Sequence, residues 1–204
     1  MDILEFTDEK ARKIVEDGYV LALPTETVYG LGVRWDSEEA YERLVKAKNR
    51  RPDKPIAVMC SKDFDLSPYF VITPGIKRVM DKFLPGPLTV LVKTKDEAPN
   101  QSHLGTFVAG IRIPGKKDLL DFLSSLPFPL QVTSANLSGE PATSSFDEVY
   151  NIFKDTKDVE GIVKGTCKSN VPTTVVSLLD DEVKVIRQGE IKEEDIRKAY
   201  YQED

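Results

Sequence analysis

The stretch YVLALPTETVYGLG, Tyr19 to Gly32, carries the pattern on which the fold turns. Its first five residues form a short unbroken apolar run, the signature of a strand buried on both faces rather than of one face of a helix. Pro24, which cannot donate to a sheet ladder, ends that run. Thr25, Glu26 and Thr27 follow at once, so hydroxyls and a carboxylate stand at the end of a buried strand, where open sheets place their ligands.

Upstream, MDILEFTDEKARKIVEDG is acidic and reads as an amphipathic helix capped by Thr7 and stopped by Gly18. Downstream, Ser37 opens a helix over EEAYERLVKAK, and Thr73-Pro74 opens another. IAVMC (Ile56 to Cys60), LTVLV after Pro85 to Pro87, FVAGIRIP (Phe107 to Pro114) and PLQVT (Pro129 to Thr133) read as strands, and KKDLLDFLSSL as a helix between the last two. Ser145 with Glu148 predicts a capping box for a helix to about Lys154. TTVVSLL and VKVIR form a hairpin around Asp180-Asp181-Glu182, and IKEEDIRKAY a last helix. The pattern predicts one α+β domain over residues 1–204, with about seven strands interleaved with five or six helices. The final hairpin is too short for a crossover, so the sheet must be mixed.

Composition narrows the function classes. With 28 basic and 34 acidic residues the net charge is −6, which argues against a protein that coats nucleic acid. Six bases nevertheless crowd between Arg43 and Lys54 against Asp53 alone, while acids outnumber bases nine to five from Asp180 onward. A local cationic patch can recruit phosphates; it can equally be the solvated end of a helix. Cys60 and Cys167 lie far apart with no CxxC spacing, no apolar run is long enough to span a bilayer, and the first residues lack the features of a signal peptide. A reducing cytoplasm is the expected setting.

Several familiar chemistries are missing. There is no GxxxxGK[ST] loop, and the GxGxxG pattern begun by Gly30 and Gly32 ends on Trp35, too large for close helix packing. His103 is the only histidine and sits in a polar loop, QSHLG, where a solvated role is the simpler reading; no GxSxG elbow supplies a nucleophile. What remains is a set of hydroxyl, amide and cationic residues at strand ends: Thr25 to Gly30, Lys48-Asn49-Arg50, Arg112, Thr133 to Asn136, Thr173-Thr174 and Arg187. Such groups suit an enzyme that fixes anionic substrates and offsets charge on phosphate oxygens without a covalent nucleophile. Singly, each reads as well as a cap, a turn or a surface ion pair.

Taken in order, these segments resemble the YrdC-like family, whose members make threonylcarbamoyl-AMP for tRNA modification. PTETVYGLG (Pro24 to Gly32), KNR (Lys48 to Arg50), PGPLT (Pro85 to Thr89), the R-x-P of Arg112 to Pro114, SAN (Ser134 to Asn136), TTVVSL (Thr173 to Leu178) and IRQG (Ile186 to Gly189) carry the likeness from the first helix to the last. It implies a strongly twisted mixed sheet with an open, positively charged groove. It also implies that Lys48, Arg50, Ser134 and Asn136 hold the ATP triphosphate, with Arg187 closing the nucleotide side and Thr133 a wall. Thr25, Tyr29 and Arg112 would bind threonine, the arginine through its carboxylate. Bicarbonate is the third substrate, magnesium arrives on ATP, no dedicated metal site and no covalent catalytic residue are expected, and a tRNA contact and downstream tRNA-modifying partners follow. Thr173, Ser177 and Gln188 depart from the serine, aspartate and proline common in relatives, and the chain looks like the short family form. The competing readings are an RNA-binding protein without catalysis, carbamoyl adenylate formation in hydrogenase maturation, and a metal-dependent lyase. The second would need accompanying zinc-finger segments, and the third clustered acids.

Overall fold

A computed structural model describes residues 1–49, 56–99 and 107–202. Among them, ten strands form one sheet: β1 (Asp2–Leu4), β2 (Val20–Pro24), β3 (Tyr29–Arg34), β4 (Ala57–Met59), β5 (Leu88–Lys93), β6 (Val108–Arg112), β7 (Leu130–Ser134), β8 (Val159–Val163), β9 (Thr174–Ser177) and β10 (Lys184–Arg187). Six helices accompany them: α1 (Glu9–Glu16), α2 (Glu38–Ala47), α3 (Pro74–Phe83), α4 (Lys117–Ser125), α5 (Phe146–Phe153) and α6 (Glu193–Tyr201).

The spatial order is β1-β8-β2-β3-β7-β4-β6-β5-β9-β10. Pairing is mixed, as the short hairpin requires: β8 runs parallel to both β1 and β2, and β4 to β6 and β5 to β9 are parallel, while the other neighbours are antiparallel.

The strand count of about seven is corrected to ten, for three local reasons. Asp2–Leu4 is not the start of an amphipathic helix but an edge strand, whose acidic composition conceals its parallel pairing with β8. Val159–Val163 hides behind Glu160 and Gly161, which interrupt its apolar run. Tyr29–Arg34 carries two glycines, which sequence propensity counts against a strand, yet Gly30 and Gly32 pair with Leu23 and Leu21 on one side and with Ser134 and Val132 on the other.

The helix starts follow local chemistry. Ser37 Oγ accepts from Ala40 N–H at 3.2 Å, and Thr73 Oγ1 from Ile76 N–H at 3.3 Å. Asp8 rather than Thr7 stands at the cap of α1, and its carboxylate turns outward to accept from Glu5 N–H at 2.8 Å. The capping box at α5 is half made. Ser145 Oγ accepts from Glu148 N–H at 3.3 Å, but the Glu148 carboxylate takes the Thr143 hydroxyl instead of the Ser145 amide.

Two apolar clusters hold the layers. Ala11 and Ile14 of α1, Ile76 and Val79 of α3, Leu119 and Phe122 of α4, and Ile196 of α6 pack with Val90, Ile111 and Val176 of the sheet. Ala40 and Leu44 of α2 and Val149 and Phe153 of α5 pack with Val20, Leu31 and Ile162. Burying each valine, leucine, isoleucine or phenylalanine among these stabilises the fold by about 1.5–3 kcal/mol. No helix among the described residues is long and apolar enough to cross a membrane.

Candidate functional site

A cavity of about 520 Å³ opens over the middle of the sheet, where β3, β4, β5, β6, β7, β9 and β10 converge. Small residues keep its floor low. A Cβ on Gly30 would stand 2.7 Å from Val132 Cγ1, and one on Gly110 only 3.0 Å from Thr89 Cγ2, while Ala57 lies beside Gly110. Larger side chains at these places would fill the space a ligand needs.

The sequence-predicted residues Thr25, Tyr29, Arg112, Thr133, Ser134, Asn136 and Arg187 all line this one cavity, although they come from four segments. Two turns at strand ends build its polar walls. The first follows β2: Thr25 Oγ1 donates to Val28 O at 2.7 Å, accepts from Thr27 N–H at 3.1 Å and shares a 3.0 Å hydrogen bond with Thr27 Oγ1, fixing both hydroxyls. Arg112, at the end of β6, donates from Nη2 to Thr25 Oγ1 at 3.1 Å and to Thr27 Oγ1 at 3.0 Å. The same nitrogen lies 3.1 Å from Glu26 Oε1, in an ion pair whose side chains are 10% and 8% exposed. Among the described residues, neither Glu26 oxygen nor Arg112 Nε has a hydrogen-bond partner.

The second turn follows β7. Lys48 caps the C-terminal end of α2, and Asn49 behind it takes a left-handed φ of 49°, a conformation asparagine tolerates. This geometry sends the lysine inward, where it is 1% exposed. Its Nζ donates to Ser134 O, to Asn136 O at 2.7 Å and to Asn136 Oδ1 at 3.2 Å, and its own carbonyl accepts from Ser138 N–H at 3.1 Å. Asn136 Nδ2 donates to Leu137 O at 3.0 Å and to Glu140 O at 2.6 Å, and Ser134 Oγ donates to Asn136 Oδ1. Lys48 and Asn136 therefore brace this turn from behind and within, while Ser134 presents its surface to the cavity. Arg50 and His103 lie outside the described residues.

Arg187 stands on the rim at the end of β10, turned back so that Nε donates to Thr173 O at 3.0 Å and Nη2 to Thr173 Oγ1 at 3.1 Å. Partial desolvation, joined by repulsion from Arg112, holds its pKa below the usual arginine value. Two guanidiniums that repel one another across a cavity favour an anion between them. Tyr29 contributes a wall rather than a reactive hydroxyl: its OH turns away to Val163 O at 3.1 Å and Gly165 O at 2.9 Å. Burial, and then the nearby Cys167, raise its pKa.

The sequence places Thr27 and Thr173 only in the general set of anion-fixing residues and assigns nothing to Thr89 or Gly110, though all four line the cavity. Period-2 alternation was the available signal, since Gly110 lies two residues before Arg112 on β6, and Thr89 two before Leu91 on β5. Thr89 and Thr173 share a hydroxyl hydrogen bond of 2.9 Å, which fixes the base of Arg187. Among the described residues, no group of three or more histidines, cysteines or acids is placed to hold a metal.

Residues 13–189 match the Sua5/YciO/YrdC family model, which carries the description "Telomere recombination". A Methanocaldococcus jannaschii protein provisionally named as a threonylcarbamoyl-AMP synthase is 31% identical over 197 residues, covering 93% of this chain and 92% of that protein. The threonylcarbamoyl-AMP synthase of Pyrococcus abyssi is 30% identical over 191 residues, covering 93% of this chain but only 56% of that protein. The crystal structure of P. abyssi Sua5 complexed with L-threonine superposes with a TM-score of 0.85 at 29% identity, over 93% of this chain and 56% of that one.

Proposed function

From the premise that this chain belongs to the Sua5/YciO/YrdC family, we propose that it is a threonylcarbamoyl-AMP synthase supplying tRNA threonylcarbamoyladenosine modification. The observation that carries the reading is the cavity itself: Arg112 and Arg187 across one space, hydroxyls on both strand-end turns, and, among the described residues, no cysteine or histidine in its lining. That arrangement suits two anions brought together against their mutual repulsion.

In this reading, the amine of threonine attacks carbon dioxide derived from bicarbonate, forming the C–N bond of a carbamate and releasing a proton. A carbamate oxygen then attacks the α-phosphorus of ATP, and the bond to the pyrophosphate oxygen breaks. Arg112 holds the threonine carboxylate, with Thr25 and the Tyr29 ring beside it. Ser134, Thr133 and Arg187 face the nucleotide, and Lys48 with Asn136 keeps the β7 turn in the shape that meets the phosphates; Arg50, outside the described residues, is assigned to the triphosphate by the family resemblance alone. Arginine suits both ends because its fork matches carboxylate and phosphate geometry. Magnesium travels on the ATP phosphates with much of its water retained, which accords with the donor set of hydroxyls, amides and cations.

The test is to incubate the purified protein with ATP, magnesium, bicarbonate and threonine, and to follow pyrophosphate and the adenylate. Pyrophosphate release that requires both threonine and bicarbonate is expected; release independent of either would overturn the proposal.

A further inference from the structure

The Thr25 to Thr27 turn contains an arithmetic mismatch. Arg112 Nη2 carries two protons, yet three acceptors stand within 3.1 Å of it: Thr25 Oγ1, Thr27 Oγ1 and Glu26 Oε1. Its protons point at the threonines, and the Glu26 contact is held by charge alone. Meanwhile three buried atoms nearby have no hydrogen-bond partner among the described residues, namely Arg112 Nε and both oxygens of Glu26. A guanidinium and a carboxylate satisfy one another best through two parallel bonds, and Nε with Nη2 is one edge of the arginine fork. Unpaired, a buried carboxylate is costly, so a chain that keeps Glu26 at 8% exposure has a use for it.

We infer that Glu26 is the positioning residue for Arg112, taking the Nε and Nη2 edge of its guanidinium so that the remaining edge faces the cavity and receives the substrate carboxylate. This rests on the reading of Arg112 as the threonine anchor. Two features of the surroundings support it. Glu26 is held from behind, since its carbonyl accepts from Lys168 N–H at 3.2 Å and its Cγ packs near Gly115. Glu26 is also not among the residues that line the cavity, whereas Thr25, Thr27 and Arg112 are. A carboxylate so placed screens the repulsion between Arg112 and Arg187 without competing for ligand.

The experiment is a double-mutant cycle read by steady-state kinetics and thermal melting. Glu26→Gln is expected to raise the KM for threonine about tenfold, with the KM for ATP within about twofold and kcat within about threefold. Glu26→Asp, which keeps the charge, should recover part of that loss and guards against failure of the glutamine variant to fold. In an Arg112→Gln background the Glu26→Gln change should have no further effect on threonine KM, because its intermediary is gone. An undiminished effect there, an unchanged threonine KM in Glu26→Gln, or a parallel rise in both KM values would each overturn the inference. Should Arg112→Gln itself leave threonine KM unmoved, the threonine assignment of Arg112 falls, and the positioning role with it.

Discussion

The two turns that wall the cavity each bury a cation, and they treat it in opposite ways. Behind β7, the Lys48 ammonium meets three oxygens of one short segment and ties it down. Behind β2, Arg112 has too many acceptors on one nitrogen and none on another, with an ion pair not yet made into a hydrogen bond. A buried cation whose donors are all spent internally serves shape, whereas one with an unused edge can receive a ligand. The β7 turn thus reads as a rigid half of the site and the β2 turn as the half that adjusts.

Perturbing the rigid half should have the largest effect. Lys48→Met takes a charged donor from three oxygens of one buried turn, so unfolding by urea should show a loss of about 3 kcal/mol, and pyrophosphate release should fall at least about a hundredfold. A variant of wild-type stability that still lost activity would show that Lys48 touches substrate and would erase the contrast. Next in size is Gly110→Val on the floor between the turns. Its side chain would meet Thr89 and Leu91, and both substrate KM values should rise about thirtyfold through lost space. Arg187→Gln on the exposed rim should raise the ATP KM about tenfold while costing about 1 kcal/mol of stability, because the buried Thr173 loses two donors but keeps its bond to Thr89.

The smallest effect is the most diagnostic for the adjustable half. Burial pushes the Cys60 thiol up to about 12, so at pH 8 almost none of it is thiolate, and it should resist iodoacetamide. Cys167 is only half-buried and sits against the backbone of Thr25, so it should be the thiol that labels. Threonine binding should slow its labelling about twofold, read by mass spectrometry, with Cys60 as the internal control. Equal protection of both cysteines would point to a global tightening rather than a local one.

Much of this contrast was beyond the reach of the sequence. The hairpin of β9 and β10, the Ser37 and Thr73 caps and the mixed sheet were legible because each is set by residues within a few positions of one another. The residue types at the site were legible too, since hydroxyls and cations at strand ends stand out against apolar runs. Lys48 was readable as a cation but not as a buried one, because lysine is ordinarily exposed and its burial depends on Asn49 and on a turn far along the chain. The pairing of Glu26 with Arg112 depends on register between distant strands, and β8 on partners that no local periodicity reveals.

Strand β8 has one more consequence. It lies between β1 and β2, the first two strands of the chain, and is parallel to both. During synthesis from the N-terminus, the edges of Asp2–Leu4 and Val20–Pro24 must therefore wait, unpaired on that side, until Val159–Val163 has left the ribosome. Until then the nascent chain carries an unfinished gap in its sheet.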